Sequence, residues 1–363
     1  MKLTILDKYI LKKYLTTFAV MLGLFAPIGI VIDVSEKVNK MIENKIPLTE
    51  ILMYYYHFTI YFTNLLFPIF LFLSVIWFTS KLANDSEIIA ILSSGISFTR
   101  FLRPFLIGAS IISVFILLMG FFIVPNSSEG FNNFRYTYLR GDGKQAMRGD
   151  NTDVFRQISN DEYIYVNSFD VTSKTAYNFT YEKFTKDKLA YKISASRIQW
   201  NPKTKNYTMY DYVKRTVGGL DDKLEKAAKK DAKFNFDLED ITPVVYIAET
   251  LNLGKLNRFI DKEKKRGSSN INVYLVVLYK KFSIPVSAFI LTIIAVAVSS
   301  MKRRGGMGLS LAIGIAVAFS FVFFDKIFGT LAEKSTFPPL LAVWFPNIVF
   351  GILAIFLLRN AKR

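Results

Sequence analysis

Six stretches without a charged side chain, at 14–32, 51–80, 104–128, 282–301, 305–324 and 335–358, constrain this chain more than any other feature. A bilayer's hydrocarbon core is about 30 Å thick, so about 20 residues at about 1.5 Å rise cross it as a helix. Backbone groups in lipid find no water, and a helix satisfies them within its own segment. Each stretch is long enough, and the expectation is six transmembrane helices, three before and three after a hydrophilic insert. The first stretch is read as a retained anchor. An amphipathic segment precedes it, and acidic and basic residues follow where a signal peptide would carry a small-residue cleavage site.

Orientation is read from Lys and Arg in the short connections. Lys2, Lys8, Lys12, Lys13, Lys81, Arg100, Arg103, Lys302, Arg303, Arg304, Arg359, Lys362 and Arg363 fall on one side, against Asp7, Asp85 and Glu87. On the other side Lys37, Lys40, Lys45 and Lys334 are balanced by Glu36, Glu43, Glu50 and Glu333. The first side, with both termini, is expected to be cytoplasmic. A large domain crosses whatever its own charge, so the lysine-rich insert is expected outside. The domains expected are 1–124 with three spans, 125–270 as an external β-domain with flanking helices, and 271–363 with three more spans.

Within the insert, Glu162-Tyr-Ile-Tyr-Val-Asn, Lys188-Leu-Ala-Tyr-Lys-Ile-Ser-Ala and Asn206-Tyr-Thr-Met-Tyr-Asp-Tyr-Val are rich in aromatic and β-branched residues and read as strands. Turn chemistry separates strands at Ser159-Asn-Asp, Asn201-Pro-Lys and Gly218-Gly-Leu-Asp, which favours an antiparallel sandwich or roll. The charged run from Asp221 to Lys233 reads as a mobile excursion. From Glu249 to Arg266 the spacing of Leu253, Leu256, Phe259 and Ile260 is helical and returns the chain to the membrane. No internal repeat of useful period is visible.

The chain has no cysteine and one histidine, which excludes disulfide scaffolds, thiol nucleophiles, iron–sulfur clusters and zinc fingers. His57 has no Asp, Glu or Cys close in sequence, so packing or interfacial hydrogen bonding is favoured over a ligand or proton-relay role. The nearest approach to a nucleotide loop, Gly141-Asp-Gly-Lys, lacks the P-loop spacing and its hydroxyl. A non-catalytic chain is expected, with no metal or cofactor of its own and no nucleic-acid partner.

The connection from Lys81 to Ser97 says more. Asn84 or Asp85 can cap a short helix over about 84–95, Ile88, Ile91 and Leu92 form one stripe, and Gly95 can stop it. Two readings stand: a helix that an ABC permease pushes into the groove of its ATPase, with Asp85 and Glu87 at its acidic start, or a solvated loop helix whose acidic start suits the helix dipole.

At this point the sequence resembles the LptF/LptG (YjgP/YjgQ) permeases of the lipopolysaccharide export ABC transporter. The resemblance is carried by Leu6-Asp-Lys-Tyr-Ile-Leu-Lys-Lys-Tyr-Leu, Ser86-Glu-Ile-Ile-Ala-Ile-Leu-Ser-Ser-Gly-Ile-Ser, Tyr279-Lys-Lys-Phe-Ser-Ile-Pro, Arg303-Arg-Gly-Gly and Phe337-Pro-Pro-Leu-Leu-Ala-Val-Trp-Phe-Pro-Asn. Single elements are weak; the ordered set spans nearly the whole chain. The resemblance implies a bacterial inner-membrane protein with six membrane helices and a periplasmic β-jellyroll, paired with a second LptF/LptG-type subunit around a lipid cavity. It implies an LptB-like cytoplasmic ATPase dimer, which binds ATP and magnesium, and LptC-like and LptA-like bridge proteins that carry the lipid onward. It also places Glu87 on the coupling helix against that ATPase.

Lipopolysaccharide has several acyl chains, and each CH₂ is worth about 0.8 kcal/mol on burial, so extraction needs an apolar cavity. Candidates for its lining are Phe18, Leu22 and Phe25 in the first span and Leu311, Ile315, Phe319, Val322 and Phe323 in the fifth, with lipid-facing or interhelical packing as the alternative. Lipid phosphates need cations near the outer rim. Asp33, Lys37 and Lys40 recur at i, i+4 and i+7 where the first span leaves the membrane, and the alternative is local pairing of Asp33 with Lys37 and Glu36 with Lys40. The family places phosphate-binding basic residues in this helix, although its LptG members can carry a lysine deeper, where this chain has Ile30, Val31 and Ile32. Lys281, aligned with a family basic residue before Pro285, is a further phosphate candidate beside a snorkelling alternative. Lys280 and Asp325 sit at depths where an ionisable group should face a cavity, a partner or the interface. The external domain is expected to be a half-open β-roll that accepts acyl chains and offers an edge strand to the next domain. The reading from another class is a membrane-anchored envelope scaffold or sensor. A different mechanotransmitting ABC subunit is a third, though such subunits usually have four spans.

Overall fold

The structure, a computed structural model, describes residues 3–139, 152–159, 161–170, 173, 175–186, 188–201, 206–218, 221–234, 236, 246–265, 268, 270–300 and 306–361. The Gly141 loop and most of the Arg303-Arg-Gly-Gly segment lie outside the described residues. Six helical runs are long and apolar enough to cross a membrane. They are α1 (Ile5–Glu43), α2 (Leu48–Asn84), the run Phe98–Leu139, α8 (Ile271–Ser299), α9 (Gly306–Lys334) and α10 (Pro339–Ala361). The run Phe98–Leu139 is itself composite: α4 (Phe98–Leu118), a π turn at Met119–Ile123, α5 (Val124–Phe134) and a second π turn at Arg135–Leu139. A seven-residue α3 (Glu87–Ser93) joins α2 to α4, and the short α6 (Ile247–Thr250) and α7 (Leu253–Lys265) precede α8. With 39 residues, α1 is about 58 Å long, so a good part of it continues past the hydrocarbon thickness.

The chain forms two compact units, one of Met1–Asn39, Pro47–Phe131 and Asn272–Arg363, the other of Lys40–Ile46 and Asn132–Ile271. In the first, glycines let helices approach closely, the device that replaces hydrophobic collapse in lipid. A Cβ on Gly108 of α4 would lie 2.3 Å from the ring of Tyr14 on α1, and one on Gly314 of α9 would lie 2.2 Å from Ile76 of α2. Tyr14 is fully buried and hydrogen-bonded at 3.1 Å to Thr292 of α8, so one side chain ties three spans. Asn347 of α10 donates to the Ser283 hydroxyl at 2.9 Å and its carbonyl at 3.1 Å, beside Pro285 and Pro346, which lie inside the two helices. Asp7 accepts two N–H bonds from Arg100 at 2.6 and 2.8 Å, fixing the start of α1 to the start of α4.

The second unit holds an antiparallel sheet of six strands in sequence order: β1 (Thr152–Ser159), β2 (Glu162–Asp170), β3 (Thr175–Thr185), β4 (Lys188–Asn201), β5 (Asn206–Thr216) and β6 (Lys223–Ala232). The all-β insert between the third and fourth spans is as expected. Strands β2, β4 and β5 occupy the three aromatic runs, with β1 ending at the Ser159 turn. Inward-facing residues do not alternate without a break. Each of four strands contains one three-residue step: Val166 to Phe169, Ala176 to Phe179, Ala195 to Ile198, and Met209 to Tyr212. The pairs Ser168↔Tyr177, Tyr177↔Arg197 and Arg197↔Tyr210 put these steps on one line across the sheet. Asn178 and Asp211 take left-handed backbone there, with φ of 50° and 53°, a conformation that short polar side chains tolerate. Ser196 donates to Asp211 at 2.7 Å and closes the crease between β4 and β5. The buried residues of the sheet surround a core that includes Phe179, Tyr207, Phe234 and Phe236.

The charged excursion expected over Asp221–Lys233 is corrected: it contains β6, paired with β5 from Tyr207↔Ala232 to Thr216↔Lys223. Its charges are used across strands. Arg215 meets Asp222 at 2.5 Å, Thr208 donates to Asp231 at 2.6 Å, and Lys229 and Lys230 lie over the rings of Tyr210 and Tyr212. A charged outer strand is also one that resists pairing with another chain. The helical spacing noted over Glu249–Arg266 becomes α7, which buries Leu256, Ile260 and Glu263. Glu263, only 1% exposed, meets the buried Arg156 of β1 at 3.4 Å.

Candidate functional site

The segment joining α2 to α4 begins where α2 stops. Asp85 N–H still bonds to the Lys81 carbonyl at 2.9 Å, so Asp85 caps the C-terminus of α2 and Asn84 remains inside it. Neither caps the short helix, contrary to expectation; Ser86, at φ 61°, turns the chain into α3. Gly95 ends it at φ +88°, a value glycine adopts without strain. Ile88 is buried in the helical core and Ile91 and Leu92 pack against it, while Ile89 and Asp85 face outward. Glu87 accepts the Tyr9 hydroxyl at 2.9 and 3.2 Å, and the Lys13 ammonium in turn donates to Tyr9 and lies 4.4 Å from its ring. Thus α3 is anchored by an apolar residue and tied to α1 by a charged one.

The apolar candidates divide. On α1, Phe18 is buried with its ring 5.7 Å from Phe67, Phe25 stacks on Phe70 at 5.4 Å, and Leu22 packs beside them. These three face the chain's own core; the outward face of α1 is Val20, Leu24, Ile28, Val31 and Ile32. On α9, Leu311 and Val322 pack against the core, whereas Ile315, Phe319 and Phe323 are 45%, 60% and 62% exposed and form a stripe at spacing four. Ile327 and Leu331 extend that stripe.

Among the basic candidates, Lys37 donates to Asp33 and, at 2.9 Å, to the Tyr54 hydroxyl. Lys40 is exposed and reaches the Leu139 carbonyl at 3.5 Å. Lys281 donates at 2.8 Å to the carbonyl of Gly120 in the first π turn, and Lys280 pairs with Asp325 of α9 at 2.7 Å. Sequence reasoning did not join Lys280 to Asp325, nor did it single out a groove of about 490 Å³ on α9 lined by Lys326, Ile327, Thr330, Leu331, Lys334 and Ser335. The signal for that groove was present as Lys326, Thr330 and Lys334 at i, i+4 and i+8. His57 packs on α5: a Cβ on Gly130 would lie 2.3 Å from the imidazole, which also meets Tyr56 edge-on at 5.2 Å. Among the described residues no cluster of three or more metal-ligating side chains occurs.

The arrangement offers an exposed apolar helical stripe ending in lysines, a Lys37–Asp33 pair toward the end of α1, and a short helix tied to the start of α1. A search of curated proteins returns no match to the chain. A family model described as lipopolysaccharide export system permease LptF/LptG matches residues 8–360, from the first turn of α1 to the last of α10. By that match, across six spans and the inserted sheet, the chain belongs to the LptF/LptG family of multi-pass inner-membrane permeases.

Proposed function

We propose that this chain is the permease subunit of an ABC transporter that extracts lipopolysaccharide from the outer leaflet of the inner membrane and passes it to a periplasmic bridge. The observation that carries this reading is the family match over residues 8–360, which takes in the coupling segment, the stripe on α9 and the β-insert together. An LptB-like ATPase dimer binds ATP and magnesium and drives the cycle; a second LptF/LptG-type subunit completes the cavity; LptC-like and LptA-like proteins receive the lipid. Both termini are cytoplasmic and the β-domain is periplasmic.

Each acyl CH₂ withdrawn from the bilayer needs an apolar replacement worth about 0.8 kcal/mol. Ile315, Phe319 and Phe323 face outward, and an outward apolar stripe can supply it to a lipid. Phe18, Leu22, Phe25, Leu311 and Val322 back that lining from the core. Lys37, Lys40 and Lys281, joined by Lys326 and Lys334 on the α9 groove, meet the lipid phosphates, where partial dehydration strengthens charge-assisted bonds. Asp85, Glu87, Ile88, Ile91 and Leu92 form the coupling segment, with Glu87 toward the ATPase. The chain itself performs no hydrolysis.

The test is purification of the native complex followed by mass spectrometry and ATPase assay. Co-purification with a small soluble ATPase, and stimulation of its activity by lipopolysaccharide, is the expected result. A complex with neither would favour the scaffold or sensor reading, in which the β-domain binds a protein and no lipid is moved.

A further inference from the structure

The Lys37 ammonium is already engaged. It donates to Asp33 Oδ1 and to Tyr54 Oη, and Tyr54 Oη donates to Asp33 Oδ2 at 3.0 Å, which closes a ring of three hydrogen bonds. The members are not equally accessible. Tyr54 is 1% and Asp33 7% exposed, while the Lys37 side chain is 22% exposed. Tyr54 is itself wedged against Phe131, its ring stacked at 5.6 Å, and against Phe58 at 6.1 Å. The carboxylate is therefore held from behind by a buried, packed phenol, and the ammonium sits at the end of a flexible four-carbon stem. An ammonium has three N–H donors, two of which are used here. A phosphate approaching Lys37 meets a neutral pair, and it gains a full cation only if the lysine leaves the carboxylate.

We infer that Asp33 is an internal competitor for Lys37: it neutralises the ammonium between turnovers, and an anionic phosphate headgroup binds by drawing Lys37 away from a carboxylate that stays in place. This inference rests on the reading of Lys37 as a lipid-phosphate group. Its consequence is that the headgroup is held weakly enough to be released. Asp33 is then a specificity-determining and release-setting residue that does not itself touch the lipid. Removing its charge while keeping its shape should tighten phosphate binding by about 3- to 10-fold, the effect of deleting the carboxylate that competes for one partly exposed ammonium.

The test uses the transporter assembled with its natural partners in nanodiscs of zwitterionic lipid. The probes are bisphosphorylated lipid A, the same lipid with both phosphates removed, and inorganic phosphate as a competitor. Asp33→Asn should bind phosphorylated lipid A 3- to 10-fold tighter and the dephosphorylated lipid unchanged, and Asp33→Ser provides a second neutral variant should the first assemble poorly. Asp33→Glu should keep wild-type affinity. Lys37→Gln should weaken binding of the phosphorylated probe, and Asp33→Asn should confer no gain in that background. If Lys37→Gln weakens binding and neither neutral variant strengthens it, the competitor role is overturned and the phosphate reading stands. Equal tightening of both lipids also overturns it. If Lys37→Gln leaves the two lipids bound alike, both readings fall, and displacement of lipid A by an equal concentration of inorganic phosphate would overturn the assignment to a lipid headgroup.

Discussion

Lys280 and Asp325 give the sharpest quantitative prediction for the membrane unit. They join α8 to α9 at 2.7 Å, with side chains 25% and 29% exposed. A fully exposed pair contributes about 1 kcal/mol at most, whereas two unit charges about 3 Å apart at an effective dielectric near 20 attract by about 5–6 kcal/mol before desolvation is subtracted. Desolvation returns most of that attraction, and a coupling of about 1–3 kcal/mol remains. Replacing Lys280 by Met, or Asp325 by Leu, leaves the other charge unpaired within a span, a situation that costs about 2.5–3.5 kcal/mol at the centre of a helix and less toward its end. The double variant removes both charges and should be more stable than either single one. Reversible unfolding of the full-length protein by SDS in bicelles measures all four corners of the cycle. A further variant checks the geometry: a Cβ on Gly329 would lie 3.2 Å from the Lys280 nitrogen, so Gly329→Val should displace the ammonium and reproduce the loss seen on removing Asp325. It should add little once Lys280 is Met. A coupling energy below about 0.5 kcal/mol, with strictly additive single variants, would refute the claim that this pair holds the two helices together.

Three further outcomes follow from other parts of the molecule. Gly108→Ala should cost about 1–3 kcal/mol in the same unfolding assay because its Cβ would overlap the buried Tyr14 ring, while Gly23→Ala, with open space around it, should gain up to about 1 kcal/mol of helix propensity; equal effects would remove the packing argument. In the sheet, burial pushes Glu162 up, but hydrogen bonds from Lys183, at 3.2 Å, and from Tyr181 bring it below its ordinary value of 4.5, and Glu162 raises Lys183 in return. Its contribution is present above about pH 4.5 and is lost as pH falls through the lowered value, whereas that of Lys183 is present at lower pH and is lost as pH rises through the raised one. Hydrogen exchange of β2 and β3 in the intact protein, corrected for intrinsic rates, should therefore depend less on pH at both extremes in Glu162→Gln, and an unchanged profile would count against the pair. Glu87→Lys should abolish lipid-stimulated ATP hydrolysis by the assembled transporter while its basal rate persists; retained stimulation would detach Glu87 from coupling.

The six spans were legible because freedom from charge over about 20 residues is a property of one segment alone. So were β2, β4 and β5, whose aromatic and β-branched residues favour a half-buried strand wherever it pairs. Strand β6 was not legible. Nothing within Lys223–Ala232 favours a strand over a solvated run; what stabilises it lies on β5, in Arg215, Thr208, Tyr210 and Tyr212, and becomes available only after that strand has formed. The crease was hidden for a related reason. Asn167, Asn178, Ser196 and Asp211 look like unrelated polar residues until the register sets them in one line. On α1 the difficulty is of another kind, because a helix that is apolar all round has no readable inner face. Phe18, Leu22 and Phe25 share one side, Val20, Leu24 and Ile28 the other, and only the packed bundle says which is the core. The pairing of Asp33 with Lys37 was readable as an i, i+4 contact; Tyr54, which anchors the carboxylate of that pair, lies on the next helix.

Contacts between distant segments also explain why the family's short motifs carry more weight in order than singly. The first motif meets the second where Tyr9 donates to Glu87, and the third meets the last where Asn347 donates to Ser283. In each case a polar side chain on one helix needs its partner on another. For the buried pair, a chance occurrence of Asn347 alone would leave an unpaired amide at a helix interface, where few alternative partners exist; the exposed Tyr9–Glu87 pair positions α3 against α1. The motifs are thus two halves of two local structures and are expected to change together. Glu87 is bonded to Tyr9 near the start of the same α1 that carries Lys37 toward its other end, so the proposed coupling contact and the proposed phosphate cation are connected by one continuous helix.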